Sequence, residues 1–204
     1  HATIFAQIAA ELLQVDLDAV TVEQGDSAVV PRGVGTFGSR SATIGGSALV
    51  RAVEQVKSKA AAIAAHILEG RAADVVWTDG RLHIRGVPDR SVTLAEVAAA
   101  AYQPARLPPD LEMGLAASAI FRLPGPVFPS GAYAAVVEVE RDTGMVQIHR
   151  LVAVEDAGRI INPLLAEGQV IGAAVQGWGQ AFSEEVVYDR DGQLLTTTLA
   201  EYER

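Results

Sequence analysis

The chain has 204 residues, half of them hydrophobic, a formal net charge of −9 and no cysteine. That length can bury a sizeable core, while the lack of cysteine excludes disulfides, thiolate metal sites and iron–sulfur ligation within it. The acidic residues are scattered, and a nucleic-acid surface would need clustered lysine and arginine, so we expect no nucleic-acid partner. No apolar run approaches the roughly 18 to 20 residues that cross a bilayer, so we expect no membrane span. A cytoplasmic location is a separate expectation, which is not inferred from the start of the chain. The four histidines lack the spacing of a metal site, and we predict no protein-ligated metal.

The first half of the chain carries two helix patterns and a hairpin pattern. Apolar residues at helical spacing predict an amphipathic helix over residues 2–13. A second such run, from residue 42 to 68, predicts a long helix that packs along one face. Asp79-Gly80 predicts a tight hairpin turn. Thr93, with Glu96 three residues later, predicts a helix start with a capping box.

The second half combines strand patterns with one further long helix. Strand-like alternation covers residues 115–121 and 132–140, and Asp142-Thr143-Gly144 predicts the turn into a following strand. Asn162-Pro163 precedes a helix that we expect over about residues 164–183. Because strands and helices mix without a regular βαβ order, we predict an α+β fold.

The segment "GVGTFGSRSATIGG", residues 33–46, leads directly into the first long helix. Unpaired amides and the dipole at a helix start attract an anion, and Gly38, Ser39, Arg40 and Ser41 add backbone freedom, hydroxyls and a guanidinium that matches phosphate oxygens. The structural alternative is that Ser39 or Ser41 caps the helix while Arg40 reaches solvent. The segment lacks the lysine of a P-loop, and its G-x-G-x-x-G match does not follow a strand. The residues alone leave both interpretations open.

The last long helix carries a face of glutamines and glycines. Gln169, Gly172, Gln176 and Gly179 are three, four and three residues apart, so they share one helical face. Each glycine inside a helix costs about 0.5–1 kcal/mol relative to alanine, which a specific contact must offset. Two amides on such a flat face can pair with the polar edge of a heteroaromatic ring. The alternative is a tight helix crossing, and the spacing does not decide between the two.

Three stretches together resemble one enzyme family. They are "HATIFAQIAAELL" at the start, "GVGTFGSRSATIGGSALVRAVEQVKSKAAAIAAHILE" from residue 33, and "FPSGAYAAVVEVERDTGMVQIHRLVAVEDAGRIINPLLAEGQVIGAAVQGWGQAFSEEVVYDRDGQLLT" from residue 128. They resemble the molybdenum-binding large subunit of the xanthine dehydrogenase, aldehyde oxidase and aerobic carbon monoxide dehydrogenase family, in the family's order and over nearly the whole chain. The resemblance implies that residues 1–204 are a single piece of a larger molybdopterin-binding domain, truncated at both ends.

The resemblance also implies a site and an activity. In the family, the turn matching Gly38, Ser39, Arg40 and Ser41 wraps the phosphate end of a molybdopterin or its cytosine dinucleotide, and Gln169 falls where a glutamine lies against the pterin. The family's large subunits are molybdenum oxidoreductases that oxidise an aldehyde, an N-heterocycle or carbon monoxide, with water as the oxygen source. Their electrons leave through iron–sulfur and FAD-binding subunits or domains. The cofactor carries molybdenum on its own dithiolene sulfurs, so no metal ligand is expected from the protein.

The catalytic glutamate segment of this family has no match in the chain. We therefore assign no catalytic residue, and we expect the 204-residue chain alone to be inactive and metal-free. Two alternatives stay open at this point: a non-catalytic binding or assembly module with the same fold, and another nucleotide- or phosphate-binding domain. The sequence does not specify the substrate or the oligomeric state.

Overall fold

The chain forms two compact units. The structure is a computed structural model that describes residues 1–202, and its units are His1–Gly125 and Pro126–Arg204. Helices and antiparallel strands mix without βαβ repeats, as predicted for an α+β fold. The expectation that residues 1–204 are one piece of a larger domain stays a prediction.

The first unit combines three helices with a three-stranded antiparallel sheet. The helices are α1 (Ala2–Leu13), α2 (Gly46–Ile67) and α3 (Leu94–Ala100). The strands are β1 (Val75–Thr78), β2 (Arg81–Ile84) and β3 (Val87–Thr93), in the order β1-β2-β3. A five-residue π-helical turn, Ser41–Gly45, precedes α2, so the predicted long helix begins within the glycine-rich segment.

Two local predictions for this unit are confirmed in detail. Asp79 and Gly80 both have positive φ angles, +48° and +71°, the requirement of a type I′ turn between β1 and β2. At the start of α3 the Thr93 hydroxyl accepts from the Glu96 amide at 3.1 Å, and the Glu96 carboxylate accepts from the Thr93 amide at 2.7 Å. These hydrogen bonds to Thr93 lower the pKa of Glu96 below its ordinary value. The predicted capping box is therefore present.

The core of the first unit lies between α2, α3 and the sheet. Ile63 of α2, Leu82 of β2 and Val97 of α3 are its largest fully buried side chains. Around them lie small or aliphatic buried residues: Ala60, Ala64, Leu68, Val92, Ala100, Ala101 and Leu107. Burial of these apolar surfaces gives α2 a rigid base at its C-terminal half.

Helix α1 packs against the N-terminal end of α2. A Cβ added at Gly45 would lie 2.9 Å from Cζ of Phe5, and one added at Gly46 would lie 3.4 Å from Cδ1 of Ile8. The two glycines therefore allow α1 to pack directly on the start of α2. Near the middle of α2, Nζ of Lys57 donates a hydrogen bond to the Leu12 carbonyl at 2.9 Å, at the C-terminal end of α1. The start of α2 is thus held by contacts with α1 at the last two residues of the glycine-rich segment, Gly45 and Gly46.

One strand prediction in the first unit is wrong. Residues 115–121 keep the alternating exposure of a strand but pair with no strand among the described residues. The segment is instead held by Arg51 of α2, whose guanidinium lies 4.7 Å from the Phe121 ring centroid and donates to the Ile120 carbonyl at 3.4 Å. An isolated extended segment has no ladder without a neighbouring strand.

The second unit is built on one long hairpin and one long helix. Strands β4 (Ser130–Val139) and β5 (Val146–Asp156) pair antiparallel, and Gly144, with φ of +73°, lies in the predicted turn between them. Helix α4 (Pro163–Phe182) begins where predicted, with the Asn162 side chain accepting from the Leu165 amide at 3.0 Å. A short helix, α5 (Leu199–Tyr202), follows.

The second unit has almost no buried core among its described residues. Only Gly179 is buried there, and hydrophobic side chains such as Val136, Val154 and Ile171 are more than half exposed. Apolar residues line a groove between β5 and α4, among them Leu151, Ala153, Val170, Ile171 and Ala174. The described part of the chain contains no helix long and apolar enough to cross a membrane.

Candidate functional site

The glycine-rich segment places an uncapped helix start at the surface. The π-helical turn begins at Ser41, and its N-terminal neighbour Arg40 makes no side-chain capping hydrogen bond. The Ser41 hydroxyl is paired with the Thr36 hydroxyl instead. The structural alternative, in which Ser39 or Ser41 caps the helix, is therefore wrong for the described residues. The first amides of this turn are left to bind an external acceptor.

The backbone before the turn has the dihedral angles of an anion-binding concavity. Gly38 and Ser39 have φ angles of +58° and +55°, in the left-handed region. Arg40 follows with φ of −82° and ψ of −5°, in the right-handed region. A left-handed residue next to a right-handed one turns successive N–H groups toward the same side, which forms a nest for an anion. Left-handed backbone at the non-glycine Ser39 is the kind of strain that clusters at binding sites.

Arg40 supplies the positive charge of this site. Its Nη2 donates to the Gly35 carbonyl at 3.1 Å, and its guanidinium lies 5.0 Å from the centroid of the Phe37 ring. Gly35 has φ of +76°, which glycine adopts without strain. Gly35 is the only hydrogen-bond acceptor of Arg40 among the described residues, so most of its five N–H donors are available to a ligand.

These residues fit the phosphate end of a nucleotide-like cofactor. The segment combines a nest, an uncapped helix start and a guanidinium, all of which favour phosphate oxygens. Gly38 and Ser39 are exposed, and no described atom beyond the two chain neighbours of Gly38 lies within 4 Å of the Cβ position at Gly38. A ligand can therefore approach the backbone there.

Gln169 lies in the second unit, on the exposed face of α4. The residues of α4 that line the groove toward β5 include Glu167, Val170 and Ala174, which lie on the opposite side of the helix from Gln169 and Gln176. The side chains of Gln169 and Gln176 make no hydrogen bond to any residue in the range 1–202. The expected alternative, in which these amides bond to the backbone, is therefore absent from the described chain.

The glycines of this helix are also uncovered. Cβ atoms added at Gly168, Gly172 or Gly177 would meet no described atom within 4 Å apart from the adjoining residues and backbone of α4 itself. At Gly179 the added Cβ would lie 2.7 Å from a carboxylate oxygen of Glu184, so this glycine makes room for the helix end. A tight helix crossing on the glycine face is not seen among residues 1–202, and the face is open to a ligand or another part of a protein.

The predicted site residues thus lie in two units. Gly38, Ser39, Arg40 and Ser41 are contiguous in the first unit, and Gln169 belongs to the second. Within residues 1–202 there is no group of three or more His, Asp or Glu side chains placed to hold a metal ion. Phe37 is not among the site residues predicted from the sequence, although an aromatic residue three positions before Arg40 is a signal for a cation–π contact.

Comparison with known proteins places the chain in a family. A family model described as the molybdopterin cofactor-binding domain matches residues 1–204. The carbon monoxide dehydrogenase large chain of Afipia carboxidovorans is 36% identical over 202 residues, which are 99% of this chain. The nicotine 6-hydroxylase large subunit of Paenarthrobacter nicotinovorans is 37% identical over 204 residues, which are 100% of it. The chain spans 25% of the length of each of these relatives.

A solved structure agrees with these matches. A crystal structure of the Cu,Mo-CO dehydrogenase in its carbon monoxide reduced state superposes with a TM-score of 0.90 at 36% identity, over 99% of this chain and 25% of that chain. The α+β fold predicted for a molybdenum-cofactor-binding domain is therefore confirmed, as is the resemblance to the molybdenum-binding large subunits. The chain belongs to the molybdopterin cofactor-binding domain family.

Proposed function

We propose that this chain binds the molybdopterin cofactor of a molybdenum oxidoreductase through two surfaces. The nest and helix start at Gly38, Ser39, Arg40 and Ser41 bind the phosphate end of the cofactor. Gln169, on the open glycine face of α4, binds the polar edge of the pterin. The observation that carries the proposal is the uncapped start of the π-helical turn, with left-handed backbone and Arg40 before it.

The two surfaces have different tasks. Backbone amides and a guanidinium recognise charge, so the first surface holds the anionic end of the cofactor and fixes its position. The side-chain amide of Gln169 offers both a donor and an acceptor, so it can hydrogen-bond the pterin ring in one orientation. We propose the cytosine dinucleotide form of the cofactor, whose pyrophosphate carries more charge for the first surface than a single phosphate does.

We further propose that the complete protein is the large subunit of an enzyme that oxidises an aldehyde, an N-heterocycle or carbon monoxide. The relatives support this by name, since one is a carbon monoxide dehydrogenase and another a nicotine 6-hydroxylase. The cofactor, when bound, would supply the two-electron chemistry, with water as the oxygen source. Iron–sulfur and FAD-binding subunits or domains would receive the electrons, in a cytoplasmic complex.

We infer that the 204-residue chain alone is inactive. The family's catalytic glutamate segment has no match in it, so residues of this chain bind and orient the cofactor and carry out no proton transfer. Dye-linked assays of the isolated chain with aldehydes, purines and carbon monoxide should show no turnover. Turnover with any of these substrates would contradict this part of the proposal.

The binding role is tested with a ligand that represents the cofactor's tail. Cytidine 5′-diphosphate is titrated into cofactor-free protein by isothermal titration calorimetry, with the parent and the Arg40→Ala variant. Arg71→Ala is the matched control, because it removes the same charge from an exposed position of the same unit. We expect Arg40→Ala to weaken binding about 10-fold or more, since charge-assisted hydrogen bonds to phosphate are lost. Equal affinities of Arg40→Ala and Arg71→Ala would refute the assignment.

A further inference from the structure

We propose that Phe37 is a positioning residue that holds the Arg40 guanidinium ready for the cofactor's phosphate groups. This inference rests on the proposed function of the glycine-rich segment and assigns a role to a side chain outside its phosphate-binding set. Phe37 acts on the ligand only through Arg40.

The geometry links the two side chains through Gly35. The Arg40 guanidinium lies 5.0 Å from the Phe37 ring centroid, within the range of a cation–π contact. The ring also lies beside Gly35, where an added Cβ would be 3.6 Å from Cζ of Phe37. The Gly35 carbonyl in turn accepts from Arg40 at 3.1 Å. Residues 35, 37 and 40 therefore form a closed local contact set at the tip of the loop.

Burial among the described residues does not explain a phenylalanine at this position. Phe37 is 67% exposed, and it belongs to no buried cluster of the described residues. An exposed phenylalanine on a polar loop exposes apolar surface to water without a packing gain. Its contact with Arg40 is the interaction that the structure shows for it.

The value of the contact is preorganisation. An arginine side chain has many rotamers, and ordering it on binding reduces affinity. Contact with Phe37 and the Gly35 carbonyl restricts these rotamers before the ligand arrives, while only one N–H donor is used. The remaining donors stay available for phosphate oxygens. Phe37 should therefore increase phosphate affinity without touching the phosphate.

A double-mutant cycle tests this role in the complete cofactor-free polypeptide. Affinity for inorganic pyrophosphate is measured by isothermal titration calorimetry for the parent, Phe37→Leu, Arg40→Met and the double variant. We expect Phe37→Leu to weaken binding about two- to fivefold, the range of an exposed cation–π contact. In the Arg40→Met background the same change should have no further effect. Phe37→Tyr, which keeps the ring face, should bind like the parent, and circular dichroism should show unchanged secondary structure in all variants.

The outcomes separate this inference from the proposed function. If Phe37→Leu binds pyrophosphate like the parent, or weakens binding equally in the Arg40→Met background, the positioning role is overturned while the loop remains a phosphate site. If Arg40→Met itself leaves pyrophosphate affinity unchanged, the proposed phosphate site fails, and the role of Phe37 fails with it. Loss of binding in Phe37→Tyr equal to that in Phe37→Leu would also overturn the cation–π explanation.

Discussion

Substituting alanine at two adjacent glycines should have opposite effects on the base of the glycine-rich segment. A Cβ at position 45 would lie 2.9 Å from Cζ and 3.3 Å from Cε1 of Phe5, whereas the nearest atom at position 46 is Cδ1 of Ile8 at 3.4 Å. Both positions are helical, so alanine gains about 0.5–1 kcal/mol over glycine at each. Overpacking against the Phe5 ring costs about 1–3 kcal/mol. Gly45→Ala should therefore destabilise the first unit by up to about 2.5 kcal/mol, whereas Gly46→Ala should stabilise it by about 0.5–1 kcal/mol.

Urea unfolding measures both effects on the free energy of unfolding. Trp77 lies in the first unit and Trp178 in the second, so fluorescence in a Trp178→Phe background reports on the first unit. The Phe5→Leu background is the control, because a leucine can move away from the new Cβ. There, Gly45→Ala should lose most of its penalty.

Two results would refute this reasoning. One is a stability gain at position 45 equal to that at position 46. The other is a penalty at position 45 that persists in full in the Phe5→Leu background. Either would mean that the packing of α1 on the start of α2 does not limit side-chain size there.

Three further variants test the scaffold around the site. Gly80→Ala should destabilise the protein by at least about 2 kcal/mol, for two reasons. The alanine would have to adopt the positive φ of Gly80, which is unfavourable for a residue with a Cβ, and its Cβ would lie 2.7 Å from the Gln14 carbonyl oxygen. Lys57→Met should cost about 1–3 kcal/mol in unfolding free energy, because it removes the donor to the Leu12 carbonyl. Glu96→Gln should lower the urea midpoint at pH 7, and this difference from the parent should shrink as pH falls below about 4.5. Because the pKa of Glu96 is lowered in the folded protein, the stability that its charge contributes is complete above the ordinary value of 4.5 and is lost as pH falls through the lowered value.

Matched variants set the scale for these three measurements. Gly86→Ala has the same backbone strain, with φ of +85°, but no described neighbour within 4 Å, so its cost should be clearly smaller than that of Gly80→Ala. Lys59→Met removes an equal charge from α2 and should cost less than Lys57→Met. Equal costs within either pair would contradict the contacts assigned to Gly80 and Lys57. A stability difference between Glu96→Gln and the parent that is independent of pH would contradict the role of the Glu96 charge.

Local chemistry made several elements predictable from the sequence. The Asp79-Gly80 turn and the Thr93–Glu96 capping box depend on residues within four positions of each other, and both are present. The start of α4 follows in the same way from Asn162 and Pro163. Such signals are reliable because the interacting groups are close in sequence, so the rest of the fold has little influence on them.

Other features depend on a pairing strand or on a local backbone conformation, and the residue pattern specifies neither. Residues 115–121 have strand alternation but no pairing strand among the described residues, so their pattern alone predicted the wrong element. The capping alternative at Ser41 could not be decided from composition, because it depends on the pairing of the Ser41 hydroxyl with that of Thr36. The contact of Phe37 with Arg40 depends on the left-handed backbone at Gly38 and Ser39 between them. The sequence suggests this backbone but does not specify it.

The cofactor contacts of the complete protein are the most direct test of the central claim. A crystal structure of the cofactor-loaded polypeptide should place phosphate oxygens within about 3 Å of the amides at residues 39–41 or of the Arg40 guanidinium. It should also place the Gln169 amide on the pterin edge. Phosphate groups bound at another segment, with residues 38–41 in contact only with solvent or protein, would contradict the account.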